Sequence, residues 1–207
     1  MILIGICGGT GSGKSTLAKK LENHFKESKC TIILSDSYYK NNGELNLKDR
    51  SNINYDHPES LDFNLLYENL KKLKQGIDIK EPIYSYNSHK RLKKRKLVLS
   101  KNIIIIEGLH IFCYKKIVDL IDLKIFLDVE DEIRLKRRIK RDVTFRGRSK
   151  KEILKRYVDM CKPMYDEHIF PSKKYANKIL KTNDISLKNI LNLIDNKFYD
   201  YIFKKNI

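Results

Sequence analysis

A three-layer α/β fold with a central parallel sheet is predicted by three features of the chain. Short apolar runs at residues 2–7, 31–34, 103–106, 123–128 and 178–180 alternate with helix-period segments, the pattern of βαβ units. The run Ile103-Ile104-Ile105-Ile106 is continuous and β-branched, which suits a central strand buried on both faces. Between the first strand and the first helix stands Gly8-Gly9-Thr10-Gly11-Ser12-Gly13-Lys14-Ser15, followed by Thr16. It fits G-x-x-x-x-G-K-[ST], the phosphate-binding loop pattern.

The chemistry of that loop explains its residues. Glycines let the backbone fold into a nest whose N–H groups point at phosphate oxygens. Lys14 supplies a point charge over the β- and γ-phosphates, and the Ser15 hydroxyl is placed to ligate Mg²⁺. Residues 15–26 read as a helix, with Leu17, Leu21 and Phe25 on one face, and its positive N-terminus faces the anion. A glycine-rich turn could match by accident, but the strand before it and the helix after it favour nucleotide binding and the three-layer P-loop NTPase fold.

The remaining elements follow in order. The strand at 31–34 ends in Ser35-Asp36-Ser37-Tyr38-Tyr39-Lys40. Ligands of open parallel sheets bind beyond the carboxyl ends of strands, so Asp36 can orient Mg²⁺ or accept a hydroxyl proton; an Asx-turn aspartate is the alternative. Residues 41–54 form a loop or irregular helix, and Pro58 fixes the turn Tyr55-Asp56-His57-Pro58. A helix is expected over 60–74, ended by Gly76. Two apolar segments around a polar tip predict an antiparallel hairpin appendage over about 77–99; by pattern alone, its His89 reads as a surface residue. Glu107-Gly108 closes the central strand, putting a second carboxylate at the edge that carries Asp36. Ser15, Asp36 and Glu107 then form a candidate oxygen-ligand magnesium site.

After the strand at 123–128, a helix opens with Glu130, Asp131 and Glu132 at its positive end. It carries Arg134, Arg138 and Arg141 at i, i+4, i+7 on one face. The arginines run into Asp142-Val143-Thr144-Phe145-Arg146-Gly147-Arg148-Ser149, expected as a mobile lid over about 141–150. A solvated basic stripe is the bland alternative; cations that close over phosphoryl charge are the functional one. Residues 151–160 read as a helix broken at Lys162-Pro163, Pro171 punctuates the passage to the last strand, and Asp184 or Ser186 caps a C-terminal helix.

Composition narrows the class. A chain of 207 residues without repeats or linkers is read as a single domain, residues 1–207. No apolar run reaches the ~18 residues of a membrane span, and a strand beginning at Ile2 leaves no room for a signal peptide. The 4 cysteines show no metal-site spacing and read as reduced thiols, so a cytoplasmic location is expected. Lys and Arg number 43 against 26 acids, a net charge of +17. The lysines are dispersed and no aromatic-interleaved basic block stands out, so neither a nucleic-acid nor a membrane partner is expected.

Taken in order, the motifs resemble the uridine–cytidine kinase branch of the P-loop nucleoside kinases. The matching pieces include Gly8 to Thr16, Asp36-Ser37-Tyr38-Tyr39-Lys40, Asn54-Tyr55-Asp56-His57-Pro58, Pro82-Ile83-Tyr84 through Ser88-His89, Ile106-Glu107-Gly108, Arg137-Arg138-Ile139-Lys140-Arg141-Asp142-Val143, Arg146-Gly147-Arg148-Ser149, and Pro171 with Lys174-Tyr175-Ala176. The resemblance implies transfer of the γ-phosphate of ATP or GTP to the 5′-hydroxyl of uridine or cytidine, with Mg²⁺, in pyrimidine salvage. It implies that Asp36 is the general base, assisted by Lys14 and Arg141, and that Ser15, Asp36 and Glu107 form the magnesium environment. Asp56 and Arg138 are implied at the ribose, Tyr84, His89 and Tyr39 in the nucleoside pocket, and Arg146 and Arg148 on the phosphates. A homotetramer and feedback inhibition by pyrimidine triphosphates are further implications. The chain departs from the family pattern at Phe145, where an acid is common, and at Leu180-Lys181-Thr182-Asn183-Asp184, where a Gly-rich loop is common; the donor base is read near the latter.

Overall fold

A computed structural model describes residues 1–25, 29–182 and 190–192. Strand β1 (Ile2–Gly8) feeds the glycine loop and α1 (Lys14–Phe25). β2 (Cys30–Leu34) leads through a tight turn at Ser35–Tyr38 to α2 (Leu47–Asn52) and then α3 (Phe63–Lys74). The hairpin β3 (Ile79–Ser85) and β4 (Lys90–Val98) follows. Next come β5 (Ile103–Gly108), α4 (Lys115–Leu120), β6 (Leu123–Asp128), α5 (Asp131–Arg146), α6 (Lys150–Arg156) and β7 (Lys178–Lys181). The main sheet is parallel throughout, in the order β2-β5-β1-β6-β7, and β3-β4 form a separate antiparallel ribbon.

Strand alternation divides the core in two. Ile2, Ile4, Ile6, Ile103, Ile105, Ile125 and Leu127 pack with Leu17 and Leu21 of α1 on one face. Leu3, Ile104, Ile106 and Phe126 pack with Leu66, Leu70 and Leu73 of α3 and with Ile117 of α4 on the other. Both faces of the sheet are therefore apolar and covered, as continuous Ile/Val/Leu strands require. Among the described residues, no helix is long and apolar enough to cross a membrane.

Several expected boundaries move for identifiable reasons. The helix expected over 60–74 begins at Phe63, because Asp62 caps it by accepting the Leu65 N–H (3.1 Å). The preceding Pro58–Ser60 is a separate tight turn. Asn46 likewise caps α2 within the irregular segment, accepting the Asp49 N–H (3.0 Å). The segment 142–149, expected as a loop, is helical through Arg146; Gly147 (φ 62°) ends α5 and Ser149 caps α6. Pro163 does not break its helix. The helical course runs from α6 to Tyr175, with π-turns at Tyr157–Cys161 and Tyr165–Ile169. Each of the two prolines, Pro163 and Pro171, stands shortly after a π-turn, whose wider i→i+5 bonding relieves the clash between the ring and the carbonyl four residues back. The expected cap at Asp184 or Ser186 lies outside the described residues.

Candidate active site

The glycine loop closes a nest at the carboxyl end of β1. Gly8 (φ 146°), Gly11 (φ 76°) and Gly13 (φ 100°) have positive φ. At Gly11 a side chain would also run into the carbonyl of Arg134 on α5. Within the loop the Lys14 ammonium donates to the Gly9 carbonyl (2.9 Å). Burial pulls the Lys14 pKa down, while Glu107 and Asp36 oppose that shift. Ser15 donates its hydroxyl to Glu107 Oε1 (2.6 Å). Burial raises the Glu107 carboxyl above its ordinary value against the pull of Lys14.

Topology places the second carboxylate. β2 and β5 are neighbours with Leu34 opposite Glu107, so Asp36, just beyond the end of β2, comes out at the same edge. Tyr86, near the hairpin tip, donates its hydroxyl to Asp36 Oδ2 (2.8 Å). The Arg146 guanidinium lies 4.5 Å from the centre of the Tyr86 ring. Hairpin, carboxylate and α5 are thus tied together at one point.

A cavity of about 250 Å³ runs from Lys14, Ser15, Asp36 and Glu107 past Asp56 and Arg138 to Tyr84, His89, Arg148 and Arg156. Asp56 accepts a hydrogen bond from the Cys161 thiol (3.1 Å), and Arg138 stands 3.9 Å from its other oxygen. Arg138 also donates to the Thr10 hydroxyl (3.0 Å), linking this region to the glycine loop. Tyr39, Tyr55 and Tyr84 form an aromatic wall with centroid separations of 5.3, 5.1 and 6.0 Å. His89 stacks on Tyr55 (5.4 Å, 18°) with φ 49°. Burial lowers the pKa of His89, and nearby Arg148, Arg156 and Arg50 lower it further.

Helix α5 turns an ionic face inward. Arg134, Arg138 and Asp142 are buried at four-residue intervals. Arg134 lies 3.8 Å from the centre of the Tyr165 ring and donates to the Val129 carbonyl (3.0 Å). Asp142 meets Arg138 (3.5 Å), Arg141 (2.8 Å) and Arg146 (3.3 Å). Burial by itself would raise the Asp142 carboxyl; the three arginines outweigh it and hold the pKa below its ordinary value. On the outer side of the loop, Ser12, Gly13, Thr16, Arg137 and Thr182 border a second cavity of about 330 Å³.

The arrangement brings together Lys14, Ser15, Asp36, Glu107, Asp56, Tyr39, Tyr84, His89, Arg138, Arg141, Arg146 and Arg148 around one cavity. Arg148 lines this cavity together with Tyr84 and His89. The sequence reading missed Tyr86, Arg156 and Cys161. Tyr86 lies in the expected hairpin, but nothing in its spacing distinguishes it; Arg156 lies in the helix expected over 151–160 and Cys161 just beyond it, where no motif marks either. Ser15, Glu107 and Asp36 offer oxygen donors that suit a hard cation. No group of three His, Cys, Asp or Glu side chains is arranged to hold a metal among the described residues. Magnesium fits such a sparse set, since it keeps several waters and takes its remaining ligands from phosphates.

Comparison with known proteins gives the family and the fold. Residues 3–186 match the model of the phosphoribulokinase/uridine kinase family. The uridine kinase of Clostridium novyi is 45% identical over 179 residues, covering 86% of each chain. That of Lactobacillus johnsonii is 39% identical over 190 residues, covering 90% of each. Among solved structures, D-glycerate 3-kinase from Cryptococcus neoformans superposes with a TM-score of 0.66 at 14% identity, covering 90% of this chain and 88% of that one. Phosphoribulokinase from Rhodobacter spheroides gives 0.63 at 16% identity, covering 87% and 69%. These structural likenesses establish the fold; the sequence relatives and the family match show that the chain is a phosphotransferase enzyme belonging to the phosphoribulokinase/uridine kinase family.

Proposed function

We propose that the protein is a uridine–cytidine kinase, transferring the γ-phosphate of ATP or GTP to the nucleoside 5′-hydroxyl to give UMP or CMP in pyrimidine salvage. The observation that carries this reading is the single cavity joining a phosphate-loop lysine, a carboxylate, a second carboxylate paired with arginine, and an aromatic end closed by a histidine. Its polar ends fit a nucleoside whose sugar lies at Asp56 and whose base lies against Tyr39, Tyr84 and His89.

In this reading Asp36 takes the proton of the attacking hydroxyl. Tyr86 occupies Asp36 Oδ2, holding the carboxylate in place while Oδ1 faces the acceptor. The 5′-oxygen forms its bond to the γ-phosphorus as the bond to the β–γ bridging oxygen breaks. Lys14, Arg141 and Arg146 meet the negative charge that spreads over the transferred group. Ser15, Glu107 and Asp36 would hold Mg²⁺, which when bound neutralises the donor phosphates. Asp56 and Arg138 position the ribose, and Gly8 through Thr16 cradle the donor. The resemblance that supports these roles also implies a cytoplasmic homotetramer.

Purified protein with ATP, Mg²⁺ and a panel of nucleosides, read as ADP release, tests the reading. Uridine and cytidine should drive turnover, and adenosine and thymidine should not. Efficient use of adenosine, or no nucleoside-dependent ADP release, would overturn it.

A further inference from the structure

The base end of the cavity is crowded with guanidinium groups. Arg148 and Arg156 line it, and Arg50, fixed by donation to the carbonyls of Ser88 (2.9 Å) and Leu45, stands close behind His89. Arg156 comes from the end of α6, and its Nη1 donates to the Ser51 carbonyl (2.9 Å). That bond anchors the side chain across to α2 and leaves further N–H donors on a group that lines the cavity. The carboxylates among the described lining residues, Asp36, Asp56 and Glu107, belong to the loop and sugar regions.

We propose that Arg156 is a specificity-determining residue that makes this pocket favour the 4-keto pyrimidine, uridine, over the 4-amino pyrimidine, cytidine. The inference rests on the uridine–cytidine kinase reading of the site. A guanidinium carries only donors and does not deprotonate. With the 4-position of the base set against it, uracil offers a keto oxygen, whereas cytosine offers an amino group, so N–H would face N–H. His89 and the Tyr84 hydroxyl, both at the cavity, can each donate or accept, so they serve either base. Discrimination therefore falls on the donor-only arginines.

The test is kcat/KM for uridine and cytidine with the unmodified protein and with Arg156→Gln, at fixed ATP and Mg²⁺. The unmodified protein should prefer uridine by roughly tenfold or more, the effect of leaving buried donors unmatched. The difference should lie mainly in KM. Glutamine can present either a carbonyl or an amide N–H, so Arg156→Gln should improve cytidine and bring the ratio toward unity. Equal use of both nucleosides by the unmodified protein overturns this inference and leaves the kinase reading standing. Turnover of neither overturns the kinase reading itself. If Arg156 serves only to brace Ser51, the variant lowers both nucleosides alike and the ratio stays fixed, which also overturns the inference. Competition between the nucleosides for the unmodified protein gives the same ratio without any variant.

Discussion

Asp36 and Asp56 are two carboxylates of one cavity with different neighbours, and those neighbours set different expectations for their removal. Asp36 is held by a phenol, and Asp36→Asn preserves that shape while removing the proton acceptor. Turnover should fall by ~10²–10⁴-fold with ATP binding retained, as measured by steady-state rates and nucleotide titration; turnover within threefold of the parent would assign Asp36 a structural role. Asp56 faces the Cys161 thiol and Arg138 and is read as the ribose acceptor. A missing 2′-hydroxyl would leave one of its oxygens desolvated and unpaired, a cost of about 1–3 kcal/mol. Asp56→Ala should therefore damage kcat/KM for uridine far more than for 2′-deoxyuridine. An unchanged ratio between the two nucleosides would reduce Asp56 to a turn residue.

Helix α5 owes its seat to an ion cluster as well as to apolar packing. Asp142 is fully buried beneath three arginines, so Asp142→Asn leaves their charges uncompensated. Stability should drop by about 3 kcal/mol, the lower end for breaking a buried pair, measured by urea unfolding at neutral pH. The folded carboxyl lies below its ordinary value of 3.8. Its contribution is therefore complete above that value and lost as pH falls through the depressed one. The parent should lose stability more steeply than Asp142→Asn in that acidic window. Much at this scale was legible in sequence: the strands, the glycine loop, the hairpin and the arginine repeat all follow from local pattern. What was not legible depends on neighbours. The repeat in α5 reads equally well as a solvated stripe until Tyr165 and Asp56 are folded against it. Pro163 reads as a helix breaker unless the π-turn before it is known. Arg156 lines the cavity and Cys161, at the end of that same π-turn, donates to Asp56, so α-helical phasing could not turn both to one side.

Across the whole molecule, the net charge of +17 is less evenly spread than composition suggests. Lys93, Lys94, Arg95 and Lys96 are consecutive and exposed on β4. A patch of this size should attract polyanions weakly and with strong salt dependence. If all four cations release counterions, the logarithmic slope against salt for duplex DNA is about −3.6. Binding should be sequence-independent and should not stimulate ATP hydrolysis, because Lys93, Lys94 and Arg95 are exposed on β4 and stand outside the residues that line the cavity. A nucleic-acid-dependent ATPase rate at physiological salt would contradict this separation.

His89 sits in the left-handed backbone region, a conformation that costs a β-carbon-bearing residue about 1–2 kcal/mol relative to glycine. If His89 contacts the base as proposed, fold and site make opposite demands on this position of the hairpin. His89→Gly should hold or raise the melting temperature while increasing KM for pyrimidine nucleosides, and a clear loss of thermal stability would show that the Tyr55 stack outweighs the backbone strain. A mutant library screened for heat resistance alone would drift toward glycine here, so any campaign to harden this protein needs an activity screen run beside it.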